Sequence, residues 1–316
     1  MNRIRRRLLQ AIGGAGAACL GFGGVVRDAY GQQTERLAKT ELGNGLFLVT
    51  GAGGNVVVVP GPESLLMVDS GSSERARDIE SLVSERFASA PLELLFNTHW
   101  HVDHTGGNEI LARPDTVIVA HENTRLWMST KFYVEWEDRH YPRRAAEALP
   151  NKTFFSSYPQ PIEMAFAGET VIYAHLREAH TDGDIYVWFP DRNVIVAGGV
   201  VTAGSYPLPD YITGGWVGGL IDATQTLIDM ADSSTLIVPA AGSPRSRSDL
   251  VAQHEMLSTV RERIEAMALT GKGIDEMVAA GITKEFDARF GNNAELFISN
   301  VYQGLWWGNR LRGIVA

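Results

Sequence analysis

The stretch Asn97-Thr98-His99-Trp100-His101-Val102-Asp103-His104-Thr105-Gly106-Gly107-Asn108 places three histidines and an aspartate within six positions. It follows Leu92 to Asn97, a largely apolar run that reads as a buried strand. Alternate spacing at a strand end sets His99 and His101 side by side, and Asp103 and His104 then turn back over the same point. Neutral imidazoles this close suit a zinc ion, which takes nitrogen ligands at low coordination number. A solvated loop explains the pattern poorly, because the whole chain holds eight histidines and three of them fall here.

The rest of the composition narrows the chemistry. The 316 residues are 45 % hydrophobic and 21 % charged, an ordinary globular balance with length for a large core. A formal net charge of −9 argues against nucleic acid as the main partner, since phosphate binding needs a basic footprint. The one cysteine, Cys19, lies close to the N-terminus. A mature chain that starts after it has no disulfide and no thiolate ligand, so a metal must be held by histidine and carboxylate.

The N-terminus reads as a targeting segment. Arg3, Arg5, Arg6 and Arg7 precede a Gly/Ala-rich, weakly apolar run from Leu8 to about Val26, and Ala29-Tyr30-Gly31 offers a cleavage site before Gln32. Arg5-Arg6-Arg7-Leu8-Leu9-Gln10 is similar to a twin-arginine signal, with an ordinary secretory signal as the alternative. The run is too rich in glycine to favour a permanent membrane span. The expected location is periplasmic or secreted, after loss of residues 1–31.

Downstream, Leu46–Val49, Asn55–Val59, Leu65–Val68, Leu92–Asn97 and Thr116–Ala120 read as one group of strands. Pro161–Phe166, Thr170–His175, Ile185–Phe189, Asn193–Ala197 and Leu236–Pro239 form a second group. Helices are expected over Ser73–Phe87 with Ser73 as its cap, Trp216–Met230, Arg247–Leu269 and about Asn293–Leu305. Two strand groups with helices favour two sheets packed face to face with helices outside, not a regular βαβ repeat. Gly51-Ala52-Gly53-Gly54 sits between strands and reads as a turn rather than a phosphate cradle.

The His99–His104 string resembles the His-x-His-x-Asp-His signature of the metallo-β-lactamase fold superfamily. Val68-Asp69-Ser70-Gly71 looks like that family's strand-end aspartate, which orients the metal loop. Ala179-His180-Thr181-Asp182-Gly183-Asp184 looks like the segment supplying its third histidine. The resemblance runs from about residue 40 to the C-terminus. It implies an α/β fold, an αββα sandwich of two mixed sheets flanked by helices, formed by residues 32–316 as a single catalytic domain. It implies that His99, His101 and His180 bind one metal and that Asp69 supports them.

The sequence departs from the family twice. Gly199 stands where a bridging aspartate is expected, and Ala241 where a last histidine is expected. Neither side chain can ligate a metal. Three histidines and a water make a complete catalytic zinc set, whereas Asp103 and His104 alone make a poor second site. The expectation is one zinc ion, with iron or manganese as alternatives, and Asp210, Asp182 or His254 as the residues that would rescue a second site.

The resemblance implies a metal-dependent hydrolase in which metal-bound hydroxide attacks an ester, lactone, thioester or amide carbonyl, a β-lactam among them. Asp103 is then the candidate general base, and His104 a candidate to orient substrate or stabilise an oxyanion. Three readings compete: a lyase or isomerase using the metal as Lewis acid, a catalytically weak metal-binding accessory protein, and an iron sulfur dioxygenase, against which Gly199 counts. Tyr206, Tyr211 and Trp216 fall in the loop after Gly199 and are candidates to contact a small, apolar substrate. Trp127, Phe132, Tyr133 and Trp136 lie in a long insert, His121 to Pro150, of the kind that forms lids. His121 reads as structural, His175 as pointing away from the site, and His140 and His254 as surface residues.

Overall fold

Period-two alternation of branched apolar residues builds both sheets. The computed structural model describes residues 36–43, 45–87, 90–155, 161–291 and 293–311; the expected export segment lies outside them. The first sheet has seven strands: β1 (Ala38–Gly43), β2 (Leu46–Thr50), β3 (Val56–Pro60), β4 (Leu65–Val68), β5 (Leu92–Phe96), β6 (Val117–His121) and, after a two-stranded hairpin of β7 (Phe132–Val134) and β8 (Arg139–Tyr141), β9 (Lys152–Phe154). β1 to β4 run antiparallel to their neighbours, and β4, β5, β6 and β9 run parallel. The second sheet orders β10 (Ile162–Phe166), β11 (Glu169–His175), β12 (Ile185–Phe189), β13 (Val194–Gly198) and β14 (Leu236–Pro239), with only the last pair parallel.

Alternation sorts the side chains of each sheet onto two faces. Leu46, Leu48, Val57, Val59, Leu66, Val68 and Phe96 point to the second sheet, where Tyr173, Ile185, Val187, Phe189 and Val196 meet them. The intervening Phe47, Val49, Val56, Val58, Leu65 and Met67 point outward to α1 (Ala76–Arg86). Short helices α2 (Val102–Thr105) and α3 (Asn108–Leu111) follow β5, and α4 (Glu122–Met128) follows β6. On the far side Ala174, Tyr186, Ile195 and Ile237 pack on α5 (Val217–Met230), α6 (Arg247–Leu269), α7 (Ile274–Ala279), α8 (Asp287–Phe290) and α9 (Ala294–Leu311). This is the expected αββα sandwich of mixed sheets.

Two local expectations need correction, and β1 and the β7–β8 hairpin have no counterpart among the expected strands. α1 starts at Ala76, and its N-cap residue Arg75 makes no side-chain cap, so Ser73 lies in the preceding turn. The C-terminal helix runs on to Leu311 instead of ending near Leu305. β1 and the β7–β8 hairpin carry no apolar alternation: β1 is an exposed edge strand held by backbone pairing to β2. No described helix is long and apolar enough to cross a membrane.

Phe96 is fully buried at the centre of the inter-sheet layer, edge-on to Tyr173 at 5.1 Å. Phe96→Ala is expected to cost about 3–5 kcal/mol of unfolding free energy in a denaturant titration. A loss below about 1 kcal/mol would mean that this layer does not carry the core.

Candidate metal centre

Strand β5 ends at Phe96, and the five residues after it carry His99 and His101. Asn97 stays in register because its N–H bonds to Val119 O, and Thr98 O accepts from Ile185 N of the second sheet at 2.8 Å. His99 and His101 therefore emerge at the edge where the sheets meet. His180 arrives from the turn between β11 and β12. Among the described residues these three form the one group of histidine, cysteine or acidic side chains able to share an ion, their ligand atoms all within 4.8 Å of one another. All three are buried.

The donor set fits a metal. Burial, reinforced by neighbouring imidazoles, holds His99 well below the usual histidine range; burial also lowers His101, against the pull of Asp210. Both rings are then neutral near pH 7. Thr98 Oγ1 donates to Asp69 Oδ2 at 2.7 Å and so accepts from His99 Nδ1–H at 2.9 Å. That tautomer leaves the His99 Nε2 lone pair for an ion. His101 Nε2 faces Asp210 Oδ2 at 3.4 Å, so its free lone pair is on Nδ1. His180 Nδ1 stands 3.6 Å from Asp184 Oδ1. His99 and His101 thus have a carboxylate behind them, through Thr98 and directly, an arrangement that fixes orientation and raises ligand basicity.

Asp69 holds this loop together. Its residue adopts a left-handed φ of 61°, rare for a non-glycine. The strain turns its carboxylate back to accept from Thr98 N at 2.8 Å, Thr98 Oγ1, and His104 Nδ1 at 2.7 Å. Beneath it Ser70 Oγ donates to Asn108 Oδ1 at 2.7 Å, and Asn108 Nδ2 reaches Asn97 Oδ1 at 2.9 Å.

His104 occupies a different place from the one expected of a substrate-facing residue. Its ring is 1 % exposed, and a β-carbon on Gly54 would sit 2.5 Å from it, so the Gly-rich turn lies flat against its face. Its Nε2 is 3.6 Å from Asp103 Oδ2. Burial opposes charge on this ring, but the Asp103 and Asp69 carboxylates outweigh it and raise it to about 9. A buried imidazolium between two acids positions Asp103; it cannot reach an oxyanion.

Asp103 itself is accessible. It lines a cleft of roughly 810 Å³ together with His101, Trp100, Trp127, Met128, Phe132, Glu137 and Tyr141. The insert expected as a lid forms one wall as the β7–β8 hairpin. Trp100 connects wall and centre, edge-on to His101 at 4.3 Å and to Tyr141 at 4.8 Å. Trp136 Nε1 donates to Asp210 Oδ1 at 3.3 Å, and Arg144 clamps Thr105 O at 3.0 Å and Glu109 Oε1 at 2.9 Å.

The other candidates fall elsewhere. Tyr206 is a core residue: its hydroxyl donates to Asp287 Oδ1 at 2.8 Å and its ring stacks on Phe297 at 4.9 Å. Trp216 is buried in the same helical layer under Arg261. Tyr211 is half-buried, and none of the three lines the cleft. Asp210 supports His101 instead of forming a second site; Asp182 accepts from Trp127 Nε1 at 2.8 Å, and His254 sits on α6. His121 is buried and stacks on His175 at 3.8 Å, and its Nδ1 caps α4. The sequence reading missed Thr98, whose position beside His99 was the available signal. It also missed the supporting role of Asp210, which only the fold brings in.

Gly199 explains the missing bridging ligand sterically. A β-carbon there would lie 2.1 Å from His180 Nδ1. Gly199→Asp is therefore expected to displace His180 and weaken the single site roughly 10–100-fold, without adding a second ion. Metal content and affinity check this, and a tight second equivalent would refute it. Asp210→Ala should weaken metal binding by roughly 10–100-fold through loss of the His101 anchor. Competition with a chromogenic chelator measures it, and an unchanged affinity would remove Asp210 from the centre.

Comparison with known proteins agrees with this geometry. The family model "Metallo-beta-lactamase superfamily" matches residues 49–242, more than half of the chain. No curated protein matches the sequence. Among solved structures, a metallo-beta-lactamase from Pontibacter korlensis is 18 % identical with a TM-score of 0.58, covering 71 % of this chain and 99 % of that one. The DIM-1 metallo-beta-lactamase is 19 % identical with a TM-score of 0.55, over 71 % of this chain and 98 % of its own. The inverting sec-alkylsulfatase Pisa1 from Pseudomonas sp. is 15 % identical with a TM-score of 0.67, over 87 % of this chain but only 51 % of that longer protein. At these identities the structures speak for the fold; the family match over residues 49–242, on a chain with this histidine centre, makes the protein a member of the metallo-beta-lactamase superfamily.

Proposed function

We propose that this chain is an exported hydrolase with a single metal ion on His99, His101 and His180, acting on a small, partly apolar substrate with an ester, lactone, thioester or amide carbonyl. The carrying observation is the cleft that joins His101 and Asp103 to an aromatic wall. Family membership and neighbours that include lactamases and a sulfatase support hydrolysis in general. Bound at the three imidazoles, a divalent cation supplies Lewis acidity: it makes a water acidic near neutral pH and polarises a carbonyl. Zinc suits the all-nitrogen set best.

The chain's own groups do the rest. Trp100, Phe132, Met128 and Tyr141 exclude water and hold the apolar part of the substrate. Asp103, fixed by the buried His104 cation, accepts the proton of the attacking water. The carbonyl carbon gains the water oxygen, its bond to the leaving atom breaks, and the leaving atom takes up a proton. The missing second site favours one competing reading, a lyase or isomerase with the same base and the same ion. The resemblance of Arg5–Gln10 to a twin-arginine signal supports export, a route that suits a protein folding around its metal before transport.

Protein purified without added metal should carry one divalent equivalent, and His180→Ala should lose it. Against a panel of esters, lactones and β-lactams, Asp103→Asn should keep the metal and lower kcat by about 100-fold or more. Two tightly held ions would overturn the mononuclear reading. An intact, metal-loaded wild type inert toward the whole panel would overturn hydrolysis in favour of the lyase or isomerase.

A further inference from the structure

The hairpin wall carries a carboxyl group that the centre described above does not use. Glu137 ends the tight turn Glu135–Glu137 between β7 and β8 and lines the same cleft as Asp103 and His101. Its place is fixed from two sides. Trp136, its neighbour in the turn, is tied to Asp210 behind His101. Tyr141, on the returning strand, donates its hydroxyl to Glu137 Oε2 at 2.5 Å. Tyr141 is itself wedged against Trp100 and stacked on Phe132 at 5.3 Å. A flexible surface glutamate would not be held this way.

We propose that Glu137 is a second catalytic residue, the general acid that protonates the leaving group of a substrate bound between the hairpin and the metal centre. This rests on the hydrolase reading and adds the half of the proton balance which that reading leaves open. Asp103 takes one proton from the attacking water. Glu137 gives one to the leaving oxygen or nitrogen as its bond to the carbonyl carbon breaks. After product leaves, Asp103 returns its proton to solvent and Glu137 regains one, so the net reaction consumes one water and no other reagent.

The electrostatics agree with the geometry. The groups facing Glu137 are Tyr141 and Arg139 on the hairpin, Asp210 beyond β13, and Asp103 on the metal loop. Burial favours the neutral acid most, and the Asp210 and Asp103 carboxylates add to it. The Tyr141 hydrogen bond and the Arg139 guanidinium, stacked on Tyr141 at 4.9 Å, pull the other way. The balance lifts Glu137 to about 7, so it can hold a proton at neutral pH and lose it as pH rises. A carboxyl group that holds its proton near neutral pH, in one cleft with a candidate base, fits the acid half of an acid–base pair.

The leaving group provides the test. A 4-nitrophenyl ester departs without help, whereas an alkyl ester of the same acid needs a proton. In metal-loaded protein Glu137→Gln should lower kcat for the alkyl ester by about 100-fold and abolish the decline in rate above about pH 7. The nitrophenyl ester should change less than about threefold, well short of a general-acid contribution. Tyr141→Phe keeps the packing and removes a hydrogen bond to the charged form, so the alkaline decline should move to higher pH. A carboxyl ¹³C resonance that disappears in Glu137→Gln reports the same ionisation without turnover and should titrate near 7. Equal losses on both esters, or a midpoint near 4 as for an ordinary glutamate, would overturn the proposal while leaving the hydrolase reading intact. A wild type that cleaves neither ester would overturn both.

Discussion

A buried carboxylate is costly unless donors surround it. Asp69 is 1 % exposed, and it is surrounded: Thr98 supplies an amide and a hydroxyl, and His104 an imidazolium N–H. Those donors come from the end of β5 and from α2, whereas Asp69 ends β4. The need to satisfy one charge therefore locks the two strand ends and the metal loop into one geometry. The left-handed backbone at Asp69 is the local cost of that arrangement. Its consequences run outward in two directions. Through Thr98 the carboxylate sets the tautomer of His99, and through His104 it holds Asp103 at the mouth of the cleft.

The same chain of contacts shows what stands at the two positions where this chain departs from the family pattern of ligands. His180 lies so close to Gly199 that no side chain fits there as the site stands. Glycine at this position does more than leave out a ligand; it leaves the space that the His180 ring occupies. His104, which would otherwise be a metal ligand, closes its valence with two carboxyl groups and the face of Gly54. His104 is thus no buried orphan, because Asp69 accepts from its Nδ1 and Asp103 faces its Nε2.

How much of this was legible in the sequence depends on range. Strands β2, β3, β4, β12 and β14 could be read within a residue because each is bounded by turn residues and dense in branched apolar side chains. β1 could not, since an exposed edge strand leaves only backbone pairing and no pattern. The three ligands were legible from local spacing and family resemblance. The role of Asp210 was not: it lies 109 residues from His101 and meets it only once the loop after β13 has folded back. His104 was misread for the same reason, because the turn that buries its ring comes from Gly54. Tyr206 and Trp216 looked like substrate contacts by their nearness to Gly199, yet α9 and α6 cover that side of the loop, and their rings go into the helical layer.

The hairpin is where the protein has room to define its own chemistry. The Asp69 network leaves the metal loop little freedom, since Thr98 orients His99, Asp210 faces His101 and Asp69 holds His104. The β7–β8 wall is anchored to that rigid frame at Trp136, Trp100 and Arg144, but its two strands pair only with each other and stand outside the register of the two large sheets. Binding and catalytic groups concentrate on such loops because a rigid scaffold positions them without dictating their identity. In this chain the wall presents aromatic rings, the carboxyl groups of Glu137 and Asp138, and the cations Arg139 and Arg144. Arg144 is engaged by Glu109, and Arg139 lies over Tyr141, so the cleft's cations already have anionic or π partners. A substrate that depended on ion pairing to a free cation in this wall would have to displace one of those contacts. An uncharged, partly apolar substrate would displace none, and its leaving group would share the cleft with Glu137.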